Sequence, residues 1–214
     1  MASQIIFIIL CVTGIALFSL NARKVIRNIK LGKAANRNDQ PAKRWLTMLK
    51  VAFGQTKMAA RPIPFLLHLV VYLGFVIINL EVLEIMIDGI FGTHRIFAGL
   101  GGFYNFLIGS FELLALGVWL GCAIFLIRRN ILKLKRFSGV EMKAWPKSDA
   151  NYILITEILL MTAFLLMNAA DAKLQAMGQA HYINAGAFPV STWLQGLLPT
   201  SASSLIAIER FCWW

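Results

Sequence analysis

Arg61-Pro62-Ile63-Pro64-Phe65-Leu66-Leu67-His68-Leu69-Val70-Val71-Tyr72-Leu73-Gly74-Phe75-Val76-Ile77-Ile78-Asn79-Leu80 is the stretch on which the fold turns. After Arg61 it carries no charge, and the apolar run goes on to Met86 with only Glu81 and Glu84 inside it. A helix needs about 20 apolar residues to cross the hydrocarbon of a bilayer, so 63–86 is predicted to be a membrane span. Pro62 and Pro64 stand at its start, where first-turn amides have no intrahelical partner and proline is tolerated.

The pattern recurs on both sides of this stretch. Ile5–Leu20 is an apolar run followed, not preceded, by Lys and Arg. A secretory signal has the opposite order, so 5–20 is predicted to be a retained first span with the N-terminus outside. Phe103–Ile127 and Tyr152–Ala170 are the third and fourth predicted spans. Ser203–Trp214 starts a fifth but stops on Phe211-Cys212-Trp213-Trp214 with no polar tail, which predicts that 1–214 is part of something longer. The expected fold is all-α: a polytopic transmembrane helical bundle of four complete spans and an incomplete fifth, forming one domain.

Composition agrees. Of the 214 residues, 58% are hydrophobic and 14% charged, against about 25% charged in a soluble domain. The net charge of +11 is concentrated. Residues 21–61 hold eleven Lys or Arg and one acid, Asp39; residues 128–151 hold seven and two acids, Glu141 and Asp149. Only Arg95, Lys173 and Arg210 lie outside these blocks. Basic loops between apolar spans follow the positive-inside rule, which places both blocks in the cytoplasm and argues against nucleic acid as a partner. Within the first, Lys43–Met58 has helical spacing with Trp45, Leu46, Leu49, Val51 and Phe53 on one side. That suits either an amphipathic helix on the lipid surface or a solvated connecting helix. Residues 88–102 are expected to form a glycine-rich external turn, and 171–200 a more polar external segment broken by Pro189 and Pro199.

Few residues carry chemistry. Cys11, Cys122 and Cys212 are far apart, with no C-x-x-C pair, so this chain alone builds neither a zinc site nor an iron–sulfur cluster. His68 lies about two turns into the second span. Ionisable residues at that depth face the bundle interior, and neutral imidazole is a good haem ligand. Gly74 would leave room on a nearby face for a flat macrocycle. The alternative for His68 is a hydrogen bond to a neighbouring helix. His94 and His181 read as solvent-facing loop residues. Glu112, near the middle of the third span, reads as a proton relay, a quinone-site carboxyl, or a carboxyl bonded to another helix. Glu81 and Glu84 read as solvated at the outer boundary; Glu157 reads as structural, paired with Arg61 or Lys147. Lys57 and Arg61, just before His68, suit haem propionates or a quinone headgroup as well as plain interfacial anchoring. Gly109, Gly117 and Gly121 suit close helix contacts in a non-catalytic membrane anchor or accessory subunit. A transporter is less favoured, since no inverted repeat is visible.

Gly54-Gln55-Thr56-Lys57-Met58-Ala59-Ala60-Arg61-Pro62, followed by His68 and Gly74-Phe75, resembles the membrane region of bacterial iron–sulfur oxidoreductases related to heterodisulfide reductase. That region is itself similar to the gamma subunit of respiratory nitrate reductase. The resemblance is specific over 54–75 and otherwise extends only to helix layout. It implies a multi-pass protein of the bacterial inner membrane, with His68 as a ligand of haem b. It also implies five or six helices followed by a cytoplasmic domain with two cysteine-rich 4Fe-4S motifs. Electrons would pass between quinone and those clusters, with other membrane subunits as further partners. The opposing haem ligands and all cluster cysteines would lie after Trp214, so 1–214 is not expected to be catalytic alone.

Overall fold

The structure, a computed structural model, describes residues 2–33, 39–56, 58–132 and 145–213. Among these it is all-α, with seven helices: α1 (Ala2–Lys30), α2 (Pro41–Met48), α3 (Pro62–Phe91), α4 (Gly102–Leu126), α5 (Trp145–Ala176), α6 (Ser191–Leu194) and α7 (Ala202–Trp213). Gln4–Lys30, Pro62–Phe91, Gly102–Ile131 and Ser148–Ala176 are long and apolar enough to cross a membrane. They correspond to the four expected complete spans, each longer than its apolar core. α7 has twelve residues and is not among them.

The first basic segment does not begin as a loop. α1 runs on through Asn21-Ala22-Arg23-Lys24-Val25-Ile26-Arg27-Asn28-Ile29-Lys30. Val25, Ile26 and Ile29 recur there at helical spacing, Lys and Arg are good helix formers, and no Gly or Pro interrupts before Gly32. Pro41 sits in the first turn of α2, which continues as a π-helical turn, Leu49–Phe53. The predicted surface helix therefore ends at Phe53. Its Trp45, Leu46, Leu49 and Phe53 are exposed.

The chain divides into two compact units, residues 1–65 with 89–92 and residues 66–88 with 93–214. In the first, the apolar window of α1 has no buried residue, as expected of a helix that is hydrophobic all round and solvated by lipid. In the second, α5 is the central helix, packed against α4, α6 and α7. Ile78 of α3, Tyr104, Ile108, Phe111 and Ala115 of α4, and Phe164, Leu165 and Met167 of α5 form its main core. Ala170 and Leu174 of α5 close on Leu205 of α7. Polar pairs add direction between α4 and α5. The Trp119 indole donates to Thr162 at 3.1 Å, and Asn130 and Asn151 exchange amide bonds at 3.1 and 3.3 Å.

α3 and α4 approach through glycine. A Cβ on Gly117 would come within 2.9 Å of Val70 Cγ1, one on Gly121 within 3.1 Å of Val71 Cγ2, and one on Gly74 would run into Val118 Cγ2. Lipid tails are as apolar as leucine, so close packing through small residues is what holds such helices together. Gly74→Ala is expected to destabilise by about 1–3 kcal/mol, the usual cost of overpacking. Val118→Ala in the same chain should recover most of it. An unchanged melting temperature in the single variant would show that the helices do not meet there.

Candidate functional site

Glu81, Glu84 and Asp88 are spaced i, i+3 and i+7, which puts them on one face near the end of α3. Sequence alone reads the two glutamates as solvated; the structure buries them, at 2% and 3% exposure. The reason is Arg95, 6% exposed, which folds back from the turn between α3 and α4. Its Nε donates to Asp171 Oδ2 of α5 at 2.6 Å, Nη1 to the Tyr104 hydroxyl at 3.0 Å and Nη2 to Asn168 Oδ1 at 3.0 Å. Nη1 also lies 3.8 Å from Glu81 Oε1, and the guanidinium carbon stands 5.0 Å from the centre of the Phe188 ring.

The backbone is bent to allow this. Arg95 has φ +50°, a left-handed conformation that costs a residue with a Cβ. Asp88 holds it there. Its carboxylate accepts the amides of Arg95 at 2.7 Å and Ile96 at 3.3 Å, and the Thr93 hydroxyl. Glu84 accepts the Phe97 amide at 2.9 Å and the Tyr104 hydroxyl at 2.7 Å. Burial disfavours the guanidinium charge, but Asp171, Tyr104 and Glu81 outweigh it and hold Arg95 above the ordinary arginine value.

His94 is also not a free loop residue. Its Nδ1 accepts the Ile183 amide at 3.2 Å, so the neutral ring carries its proton on Nε2, which reaches Asp171 Oδ1 at 3.1 Å. His181 is exposed, as expected, with its ring centre 5.6 Å from that of His94. Tyr182 donates to Glu209 of α7 at 3.2 Å. Burial, then the Glu209 charge, push its phenol above the usual tyrosine value.

The expected external segment 171–200 also reaches into the bundle. Glu112 lies ten residues into α4, about 15 Å of helix rise, and is fully buried. Its Oε2 accepts the amides of Val190 at 2.9 Å and Ser191 at 3.1 Å, and the Ser191 hydroxyl donates to the Leu165 carbonyl at 2.9 Å. Irregular backbone is tolerated at membrane depth only where protein satisfies it, and Glu112 and α5 do so here. Beside this loop a groove of about 490 Å³ is lined by Phe106, Gly109, Leu113, Phe188, Pro189 and Thr192, among others. Lys173 donates to the carbonyls of Gln195 and Leu198, each at 3.1 Å, and holds the far side of the segment.

The residues expected to hold a haem are not gathered into one site. His68 is half-buried in α3 and engages no hydrogen bond or ion pair among the described residues. His94 and His181 cannot oppose it, since His68 and Asp88, the anchor of the His94 turn, are separated by about 30 Å of helix rise. At Gly74 the side chain of Val118 packs against the backbone. Arg61 is exposed; Lys57 lies outside the described residues. Glu157 is half-buried in α5 with no ion pair among the described residues, and the Lys147 side chain lies outside them. Cys11, Cys122 and Cys212 are free thiols. Among the described residues no group of three or more His, Cys, Asp or Glu is placed to hold a metal ion.

Sequence reasoning missed the Arg95 knot. The signal was present: Arg95 is one of three cations outside the basic blocks, and it follows three acids spaced along one helix face. No protein-family model, curated protein or solved structure matches this chain.

Proposed function

We propose that the chain is the membrane domain of an electron-transfer protein. In this reading electrons move between the quinone pool and iron–sulfur clusters on the cytoplasmic side, with His68 as one axial ligand of a b-type haem. The observation that carries the reading is the His68 imidazole: half-buried in a membrane-length helix and free of any protein partner among the described residues. An ionisable group at such depth is costly unless it serves a partner or a pathway. The opposing ligand would come from another helix. A haem at His68 would supply a one-electron carrier; the protein's part is to present the imidazole and keep water away.

The positive-inside rule orients the bundle with the basic segments in the cytoplasm and the Arg95 knot on the outer side. Arg61, exposed at the start of α3, is then available at the inner interface to a propionate or another anionic group. The apolar groove beside Glu112 is of a size that holds small ligands, and we assign it to the quinone ring. The structure makes Glu112 the acceptor that anchors the wall of that groove.

The protein, purified from membranes, should show a reduced-minus-oxidised spectrum of b type. His68→Ala should abolish at least the haem it ligates while the helices stay inserted. An unchanged spectrum in that variant would sink the assignment. The glycine contacts at Gly74, Gly117 and Gly121 favour a second reading, a membrane anchor that binds partner helices and no cofactor. A colourless protein would select it.

A further inference from the structure

Five carboxyl groups are buried among the described residues: Glu81, Glu84, Asp88, Glu112 and Asp171. Four of them are each held by at least two donors. Asp171 takes Arg95 Nε at 2.6 Å, His94 Nε2 at 3.1 Å and Gln175 Nε2 at 3.3 Å. Asp88 takes two amides and a hydroxyl, Glu84 an amide and a phenol, and Glu112 two amides. Glu81 differs. Among the described residues no donor lies within hydrogen-bond distance of it, and its nearest cation is Arg95 Nη1 at 3.8 Å. Its Oε2 is buried without a partner, as is Glu112 Oε1, but Glu112 holds two amides on its other oxygen and Glu81 holds none. Asn168 Nδ2 is also buried without a partner, although its side chain is aimed into the same knot by its bond to Arg95.

These observations separate Glu81 from its neighbours. An ionised carboxylate needs donors; the other four acids hold theirs, and the spare Asn168 Nδ2 makes no hydrogen bond to Glu81. Charge points the same way. Among the described residues, Arg95 from the turn is the one cation facing Glu81, against Glu84 of α3, Glu112 of α4 and Asp171 of α5. Like charges sharing one site cannot all ionise.

We propose that Glu81 is a reversible proton-binding site, neutral in this arrangement, with water serving its Oε2 and the Asn168 amide. Protonation spares Glu81 the set of donors that a buried carboxylate would require. When the proton leaves, the carboxylate is left within ion-pair reach of Arg95, so both forms have a partner and neither requires the helices to separate. The site works as a proton store on the end of the bundle away from Arg128 and Arg129. It does not depend on whether His68 holds a haem.

The test compares isosteric amides in the lipid-reconstituted protein. Gln resembles a protonated Glu, so Glu81→Gln should leave the melting temperature unchanged, whereas Asp171→Asn and Glu84→Gln should both lower it. A loss in Glu81→Gln as large as in Asp171→Asn would make Glu81 an ionised partner of Arg95 and overturn the proposal. Infrared difference spectra between acidic and alkaline buffer supply a second readout. A protonated-carboxyl C=O band should bleach on alkalinisation, vanish in Glu81→Gln and move in frequency in Glu81→Asp. A band that persists unaltered in both variants would overturn the proposal even if the amide series behaved as expected.

Discussion

Arg95→Met is expected to destabilise the folded bundle by about 3–5 kcal/mol, the range for removing one partner of a buried ion pair. Methionine fills similar volume, so the loss is electrostatic and not a cavity effect. It leaves Asp171 without its 2.6 Å partner, and Tyr104 and Asn168 without their donor. Arg95→Lys should recover only part of the loss. An ammonium keeps the charge but cannot present a planar fork to Asp171, Tyr104 and Asn168 together. Asp171→Asn added to Arg95→Met should cost less than the sum of the two changes, because the second removes the charge that the first strands. Thermal unfolding in detergent, followed by helical circular dichroism, reads all three. Additive losses would show that the two residues do not share one network.

The second large effect is local. Glu112→Leu removes the acceptor of the Val190 and Ser191 amides, and each buried amide left unpaired costs about 1–3 kcal/mol. The helices have their own contacts, so the expected result is release of residues 186–192 with the bundle intact. Amide hydrogen exchange should rise across that segment and protease should cut there, while α4 and α5 stay protected. Glu112→Gln keeps a carbonyl oxygen in place and should resemble the parent. Equal exposure of the loop in both variants would mean that the negative charge holds it, not the acceptor geometry.

How far the sequence was legible depends on where each residue's partner lies. The apolar stretch after Arg61 needs no partner but lipid, and its reading as a long helix agrees with α3. The end of α1 was misplaced because Arg23, Lys24, Arg27 and Lys30 look like a loop by charge, although Val25, Ile26 and Ile29 keep the helical period. Glu81 and Glu84 were read as solvated because burial of an acid depends on a cation elsewhere. Arg95 is fourteen residues beyond Glu81, and Asp171 and Asn168 more than seventy beyond Arg95. Spacing along one helix cannot report a closure of that length. Glu112 was singled out on depth, and its partner proved to be the backbone of 190–191, which carries no compositional signal. His68 was singled out on depth and remains without a protein partner in the described structure. Gly74 was read as space for a ligand and is instead space for Val118.

The Arg95 knot also bears on how the protein is made. Glu84, Asp88, Arg95 and Tyr104 all lie on the hairpin formed by α3, its turn and α4. Their mutual bonds can close as soon as that hairpin leaves the insertion machinery, before α5 exists. A hairpin so closed would carry its acids and its cation into a bilayer as a partly neutralised package. Asp171 and Asn168 arrive later, with the last turns of α5, and lock a turn that is already bent to receive them. The order of synthesis thus matches the order of electrostatic need: the pairing within the hairpin first, and the docking of the next helix as the step that completes it.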